Sequence, residues 1–133
     1  MTTVKYQANL PEDIEQQMVF EWAATVEYRY PCLRLMYHTP NEGKRTKSEG
    51  GKLKRMGLRR GVPDICLPVA RGRYHGLYIE LKSAGGTVRR EQKEYLEALR
   101  EEGYCTAVCR SAEECESFIT EYLRLGSFAA EVE

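Results

Sequence analysis

Gly61-Val62-Pro63-Asp64-Ile65-Cys66-Leu67, followed after a loop by Leu77-Tyr78-Ile79-Glu80-Leu81-Lys82, is the stretch whose reading decides the fold. From Leu77 to Lys82 the residues alternate, so Leu77, Ile79 and Leu81 line one face of a strand while Tyr78, Glu80 and Lys82 line the other. Asp64 follows a proline and opens the short apolar run Ile65-Cys66-Leu67. That run can return through Arg71–Gly76, whose glycines and charges suit a hairpin loop, to pair with the strand carrying Glu80. The pairing brings two carboxylates together and points Lys82 the same way as Glu80. Arg71 and Arg73 are expected to project near this site.

Two carboxylates, the Leu81 carbonyl on the strand between Glu80 and Lys82, and waters suit a hard divalent cation, Mg²⁺ or Mn²⁺. Such a cation polarises a scissile phosphoryl group and lowers the pKa of a bound water. Lys82 is placed to orient or deprotonate that water, or to balance developing charge. An isolated E-x-K is more simply a solvent-facing pair on a half-buried strand, with Asp64 a turn residue. Here the Pro-Asp element precedes it at hairpin distance within a helix–strand alternation, which favours phosphodiester chemistry.

Working outward, Pro11 with Glu12 and Asp13 marks a helix start, and the helix is expected to run to about Tyr28 with Val19, Trp22, Ala23 and Val26 inward. Glu12 and Glu15 lie at opposite edges of that stripe, and either could reach the site. Leu33–His38 reads as a first strand. Thr39–Gly51 reads as a polar loop, and Gly50–Gly57 as a short basic helix. Asn41 by itself is a turn residue, and His38 at a strand end is read as structural. After the break at Gly85-Gly86, Thr87 is expected to cap a helix to about Glu102 that carries Gln92 near its start. Gly103 ends it, Tyr104–Cys109 forms a strand, and Ser111 caps a final helix to about Leu123.

The expected architecture is therefore an α/β domain of order α-β-β-β-α-β, a mixed central sheet flanked by helices, plus a C-terminal helix. One domain over residues 1–133 is expected, with its core at about 11–124 and a loose tail over 125–133. A chain of 133 residues with 42% hydrophobic content can build such a core without disulfides. Its five cysteines form no C-x-x-C pair, and there are two histidines to complement them. Packed, reduced thiols are the reading, rather than zinc ligands. No apolar run approaches the roughly 18 residues of a membrane helix, and Met1–Leu10 lacks a signal-peptide pattern, so a cytoplasmic location is expected.

The formal net charge is zero, yet its distribution is uneven. Lys44, Arg45, Lys47, Lys52, Lys54, Arg55, Arg59 and Arg60 crowd the segment before Pro63-Asp64, with Glu49 the acid among them. A run of this kind is commonly just a solvated face. Beside the carboxylates it becomes a candidate phosphate-backbone surface, so that binding and chemistry share one side.

Together these residues resemble the PD-(D/E)XK nuclease superfamily, and more closely its VRR-NUC branch, over most of the chain. The matching positions are Glu12 and Gln16, Pro40-Asn41-Glu42-Gly43, Gly61-Val62-Pro63-Asp64, Glu80-Leu81-Lys82 and Gln92. The resemblance implies a restriction-endonuclease-like core and Mg²⁺- or Mn²⁺-dependent hydrolysis of DNA by an endonuclease. For small members it further implies homodimers acting on branched DNA such as the Holliday junctions of DNA repair. It favours Glu12, paired with Gln16, as the helix carboxylate acting through water, and makes Asn41 and Gln92 accessory polar residues. The competing classes are a sequence-specific restriction-type endonuclease, a non-catalytic DNA-binding module and a protein-interaction module. The intact Asp64, Glu80 and Lys82 argue against the non-catalytic module. The short chain leaves little room for a separate base-reading domain.

Overall fold

The computed structural model describes residues 10–40 and 47–129. The elements run α1 (Glu12–Val26), a 3-10 turn (Pro31–Leu35), β1 (Tyr37–His38), α2 (Lys47–Arg55), β2 (Ile65–Leu67), β3 (Leu77–Leu81), α3 (Arg90–Glu101), β4 (Cys105–Cys109) and α4 (Ala112–Leu123). The four strands form one sheet in chain order, β1-β2-β3-β4. β1 and β3 both run antiparallel to β2, and β4 runs parallel to β3. This is the mixed sheet flanked by helices that the alternation of motifs implies.

The register sorts every strand residue onto one of two faces. Ile65 sits opposite Ile79 and Leu67 opposite Leu77, while Ala107 sits beside Ile79 and Cys109 beside Leu81. This face meets Val19 and Ala23 of α1 and Cys115, Ile119 and Tyr122 of α4 in one hydrophobic core. Ile65, Leu77 and Ile79 are wholly buried, and each contributes about 1.5–3 kcal/mol by leaving water. The Tyr122 hydroxyl donates to the Val69 carbonyl at 2.7 Å, so this buried phenol is satisfied. The opposite face carries Tyr78, Glu80 and Lys82, and it is here that α3 lies, its Gln92 and Leu96 buried.

Two expectations of local structure are corrected. Leu33–His38 is not one strand: Pro31 opens a 3-10 turn over Pro31–Leu35 and only Tyr37–His38 pairs with the sheet. A proline in the first turn favours such a turn. Leu33 still reaches the core while Arg34 and Leu35 stay exposed, a three-residue rhythm that a strand does not allow. Thr87 does not cap α3. The helix begins at Arg90, and the side-chain oxygen of Gln92 accepts the Arg89 N–H at 2.8 Å, so the cap comes from inside the helix.

Arg71 and Arg73 sit in the β2–β3 loop, at the opposite end of the strands from Asp64 and Lys82. Arg71 there donates to the Ala70 carbonyl and contacts the Cys32 sulfur. Hairpin geometry itself excludes them from the site, because a loop joining two strands lies at the end where the chain turns. Within the tail 125–133, Gly126 and Ala129 each share a backbone hydrogen bond with Gly72, and residues 130–133 lie outside the described residues.

One glycine is required by packing. Gly61 has φ +83°, and a Cβ placed there would meet the Glu91 carbonyl oxygen at 2.6 Å. The close approach fixes the turn carrying Arg59 and Arg60 against the start of α3, immediately before Pro63 and Asp64.

Candidate active site

The chemistry-bearing residues gather at one end of the sheet, where β3 finishes and β2 begins. Continuing the register by one step from Ile65–Ile79 places Asp64 directly across from Glu80. The Thr39 N–H donates to the Asp64 carbonyl at 2.8 Å and holds its backbone to β1. The Asp64 carboxylate turns along the sheet and accepts the Leu81 N–H at 2.7 Å. Within a strand the N–H and C=O of one residue point to the same side, so the Leu81 carbonyl also faces the Asp64 side.

Glu80 and Lys82 occupy the α3 face, as the two-residue alternation requires, and both are buried. Gln92 donates from its side-chain nitrogen to Glu80 Oε2 at 2.8 Å, and Lys82 Nζ stands 3.8 Å from that same oxygen. The other carboxylate oxygen, Glu80 Oε1, is buried without a hydrogen-bond partner. An unpartnered carboxylate oxygen inside a protein is costly unless something positive meets it.

The electrostatics follow from this crowding. Burial first, and then the neighbouring Asp64 charge, push the Glu80 carboxyl up to about 8, against the pull of Lys82. Asp64 is also raised, chiefly by burial, with the Leu81 N–H and Lys82 opposing and Glu12 adding to the rise. Two carboxylates held together at the cost of ionising one of them form a site built to receive positive charge.

The two candidate glutamates of α1 part company. Glu12, one turn before Gln16, lines a cleft of about 230 Å³ together with Gln16, His38, Asp64 and Leu81. Its Oε2 accepts the Ser83 N–H at 3.1 Å. Glu15 is 5% exposed, and its Oε1 instead accepts the Ala112 N–H at 2.8 Å, the first residue of α4. A carboxylate at a helix N-terminus meets unsatisfied N–H groups and the positive end of the dipole, which gives Glu15 a packing role.

The structure therefore brings Asp64, Glu80, Leu81, Lys82, Glu12, Gln16 and Gln92 to one end of the sheet. Lys52, Lys54, Arg55, Arg59 and Arg60 are exposed on α2 and the turn leading to Asp64. Lys44, Arg45 and Asn41 lie outside the described residues. Sequence reading set His38 aside, yet it lines the cleft. The signal that finds it is the register, since His38 pairs with Ile65 beside Asp64. Among the described residues no group of three or more His, Cys, Asp or Glu side chains draws together as a metal-ion cluster. The donors on offer are thus the two carboxylates and a backbone carbonyl, with Glu12 across the cleft, an all-oxygen set suited to a cation that keeps several waters.

Fold and site define a mixed-sheet α/β protein with an acidic, nuclease-like centre at the sheet end. The VRR-NUC domain family matches residues 4–113, and the chain belongs to that family. A solved structure described as a VRR_NUC domain protein is similar at 35% identity and a TM-score of 0.80, over 93% of this chain and 97% of that one. Nothing among curated proteins matches. A nuclease domain implies DNA as its substrate. Among the described residues no helix is long and apolar enough to cross a membrane.

Proposed function

We propose that this protein is a Mg²⁺- or Mn²⁺-dependent endodeoxyribonuclease of the PD-(D/E)XK superfamily. The single observation that carries the reading is Glu80: buried, raised to about 8 beside Asp64, and left with one oxygen unpartnered. Its raised carboxyl shares a proton with Asp64, and a cation that displaces that proton would add positive charge beyond the one ammonium, Lys82, that stands beside it. Asp64, Glu80 and the Leu81 carbonyl would hold the ion, with Glu12 acting across the cleft through water. When bound, the cation supplies Lewis acidity to a phosphoryl oxygen and lowers the pKa of a water.

The chain's own residues do the rest. Lys82, tethered electrostatically to Glu80, is positioned to orient the attacking water or to carry its proton. Gln92 holds Glu80 Oε2, so the unpartnered Oε1 keeps a fixed direction. Lys52, Lys54, Arg55, Arg59 and Arg60, joined by Lys44 and Arg45, engage the phosphate backbone, and Gln16 and Asn41 serve as accessory polar groups. Contacts of that kind position the duplex without reading bases.

Branched DNA is the substrate this reading favours, with a two-fold homodimer placing one site against each of two symmetry-related strands of a four-way junction. The family resemblance supports it. The experiment is cleavage of junction, flap and linear duplex in parallel with Mg²⁺, Mn²⁺, Ca²⁺ and EDTA. Cleavage confined to Mg²⁺ and Mn²⁺ and fastest on the junction is expected; full activity in EDTA would require another mechanism, and equal cleavage of all three DNAs would remove the junction preference alone.

A further inference from the structure

We infer that Arg110 is a positioning residue that holds Glu12 in the site by clamping the loop after Lys82. Arg110 follows β4, whose last residue, Cys109, lies beside Leu81, so its backbone emerges at the same end of the sheet as the carboxylates. That backbone is pinned: the Arg110 N–H donates to Glu114 Oε1 at 2.6 Å, and the Glu114 N–H donates to the Ser111 hydroxyl at 3.1 Å. This is a capping arrangement at the start of α4. The guanidinium then reaches across and donates through one nitrogen to the carbonyls of both Ser83 and Gly86.

The clamped loop is the one that touches Glu12. Ser83 contributes its N–H to Glu12 Oε2, while its carbonyl accepts from Arg110. Gly86 closes the turn, its N–H bonded to the Ser83 carbonyl at 3.0 Å. The turn Ser83–Gly86 contains Gly85 and Gly86, and its one apolar side chain, Ala84, is exposed. Without Arg110 the Gly86 carbonyl has water as its alternative partner, the Ser83 carbonyl keeps the Gly86 N–H alone, and backbone freedom at two glycines is large. A planar guanidinium with several donors can hold two carbonyls at once, which an ammonium on a flexible stem does less well.

Glu15 sets the complementary constraint. Its bond to the Ala112 N–H ties α1 to the same β4–α4 corner from which Arg110 projects. The start of α1 is thus held twice, through Glu15 directly and through Arg110, Ser83 and Glu12 in series. Outer partners of this kind orient a ligating group without touching the ion. The inference rests on the proposed metal role of Glu12.

The test is Mn²⁺ titration of the full chain by calorimetry, without DNA, for wild type, Arg110→Ala, Arg110→Lys, Glu12→Gln and the Arg110→Ala/Glu12→Gln double variant, with Asp64→Asn and Glu80→Gln as controls for the metal site. Arg110→Ala is expected to weaken Mn²⁺ binding about tenfold, Arg110→Lys to recover part of that loss, and the double variant to bind no more weakly than Glu12→Gln alone. Arg110→Lys carries the comparison if the alanine variant does not fold. Wild-type affinity in Arg110→Ala, or losses that add in full in the double variant, would overturn the inference. Should Glu12→Gln bind Mn²⁺ as wild type does while Asp64→Asn does not, the clamp is refuted and the metal site stands. Should Asp64→Asn and Glu80→Gln also bind normally, the metal reading itself falls.

Discussion

Two regions of this molecule bury a glutamate, and they resolve the burden in opposite ways. At the α1–α4 corner, Glu15 meets the N-terminus of a helix, where a backbone N–H and the positive end of the dipole receive it. At the end of the sheet, Glu80 meets Asp64, a like charge, and keeps one oxygen without a partner. Both side chains are nearly inaccessible, 5% and 2% exposed. Burial alone therefore does not mark a functional carboxylate. What separates the two is the company each keeps: Glu15 meets a helix N-terminus, whereas Glu80 shares one lysine, Lys82, with a second carboxylate, Asp64.

The comparison breaks most visibly in cleavage. Glu80→Gln is expected to reduce DNA cleavage by at least about a hundredfold, as are Asp64→Asn and Lys82→Ala, since each removes an oxygen donor or a charge needed in the transition state. Glu15→Gln, which keeps the acceptor for Ala112, is expected to stay within a few-fold of wild type. Single-turnover cleavage of one labelled substrate compares all four variants, and comparable losses for Glu15→Gln and Glu80→Gln would erase the distinction.

A smaller effect sharpens it. Gln92→Leu removes the donor to Glu80 Oε2 and the cap on the Arg89 N–H, and is expected to lower the rate about tenfold, as loss of an outer partner does. The Mg²⁺ concentration for half-maximal rate should rise in step, which a loss of helix capping by itself would not produce.

Stability reverses the ranking of the two glutamates. Glu15→Ala is expected to cost about 1–3 kcal/mol, because the Ala112 N–H is then buried without its acceptor. Glu80→Gln in EDTA is expected to be neutral or stabilising. The pH dependence follows in sign. Burial raises Glu80 to about 8, so between the ordinary glutamate range and that value the folded chain keeps a proton the unfolded chain has released. Stability in chelator should therefore fall as pH rises through that window. Glu80→Gln should flatten this slope and Glu15→Gln should not; thermal melts at pH 6 and pH 9 decide it.

The smallest expected change concerns the basic segment. Reversing charge at Lys52, Lys54, Arg55 and Arg59 should weaken DNA binding and flatten its salt dependence, with Mn²⁺ affinity altered little. An unchanged slope of binding against salt would assign those residues to a solvated surface.

Much of the arrangement was legible in the chain because hairpin register and strand alternation are short-range rules. Asp64 opposite Glu80, and Glu80 on the side of Lys82, follow from the period of two and one turn. The choice between Glu12 and Glu15 was not legible, since both flank the inward stripe of α1. Only the position of the α4 N-terminus, almost a hundred residues away in sequence, separates them. The missed role of Arg110 has the same origin, because its partners are backbone carbonyls of another loop and carry no sequence signature. Leu33–His38 failed differently: an apolar run beside Pro31 fits a 3-10 turn and a strand equally well by composition.

The measurement that tests the central claim most directly is proton release on Mn²⁺ binding, read by calorimetry at pH 7 in two buffers of different ionisation enthalpy. With Glu80 raised to about 8, most molecules enter the titration with that carboxyl protonated. Binding should then expel close to one proton per ion, and Glu80→Gln should abolish the release along with most of the affinity. Mn²⁺ binding with no proton release and no dependence on Glu80 would contradict the account.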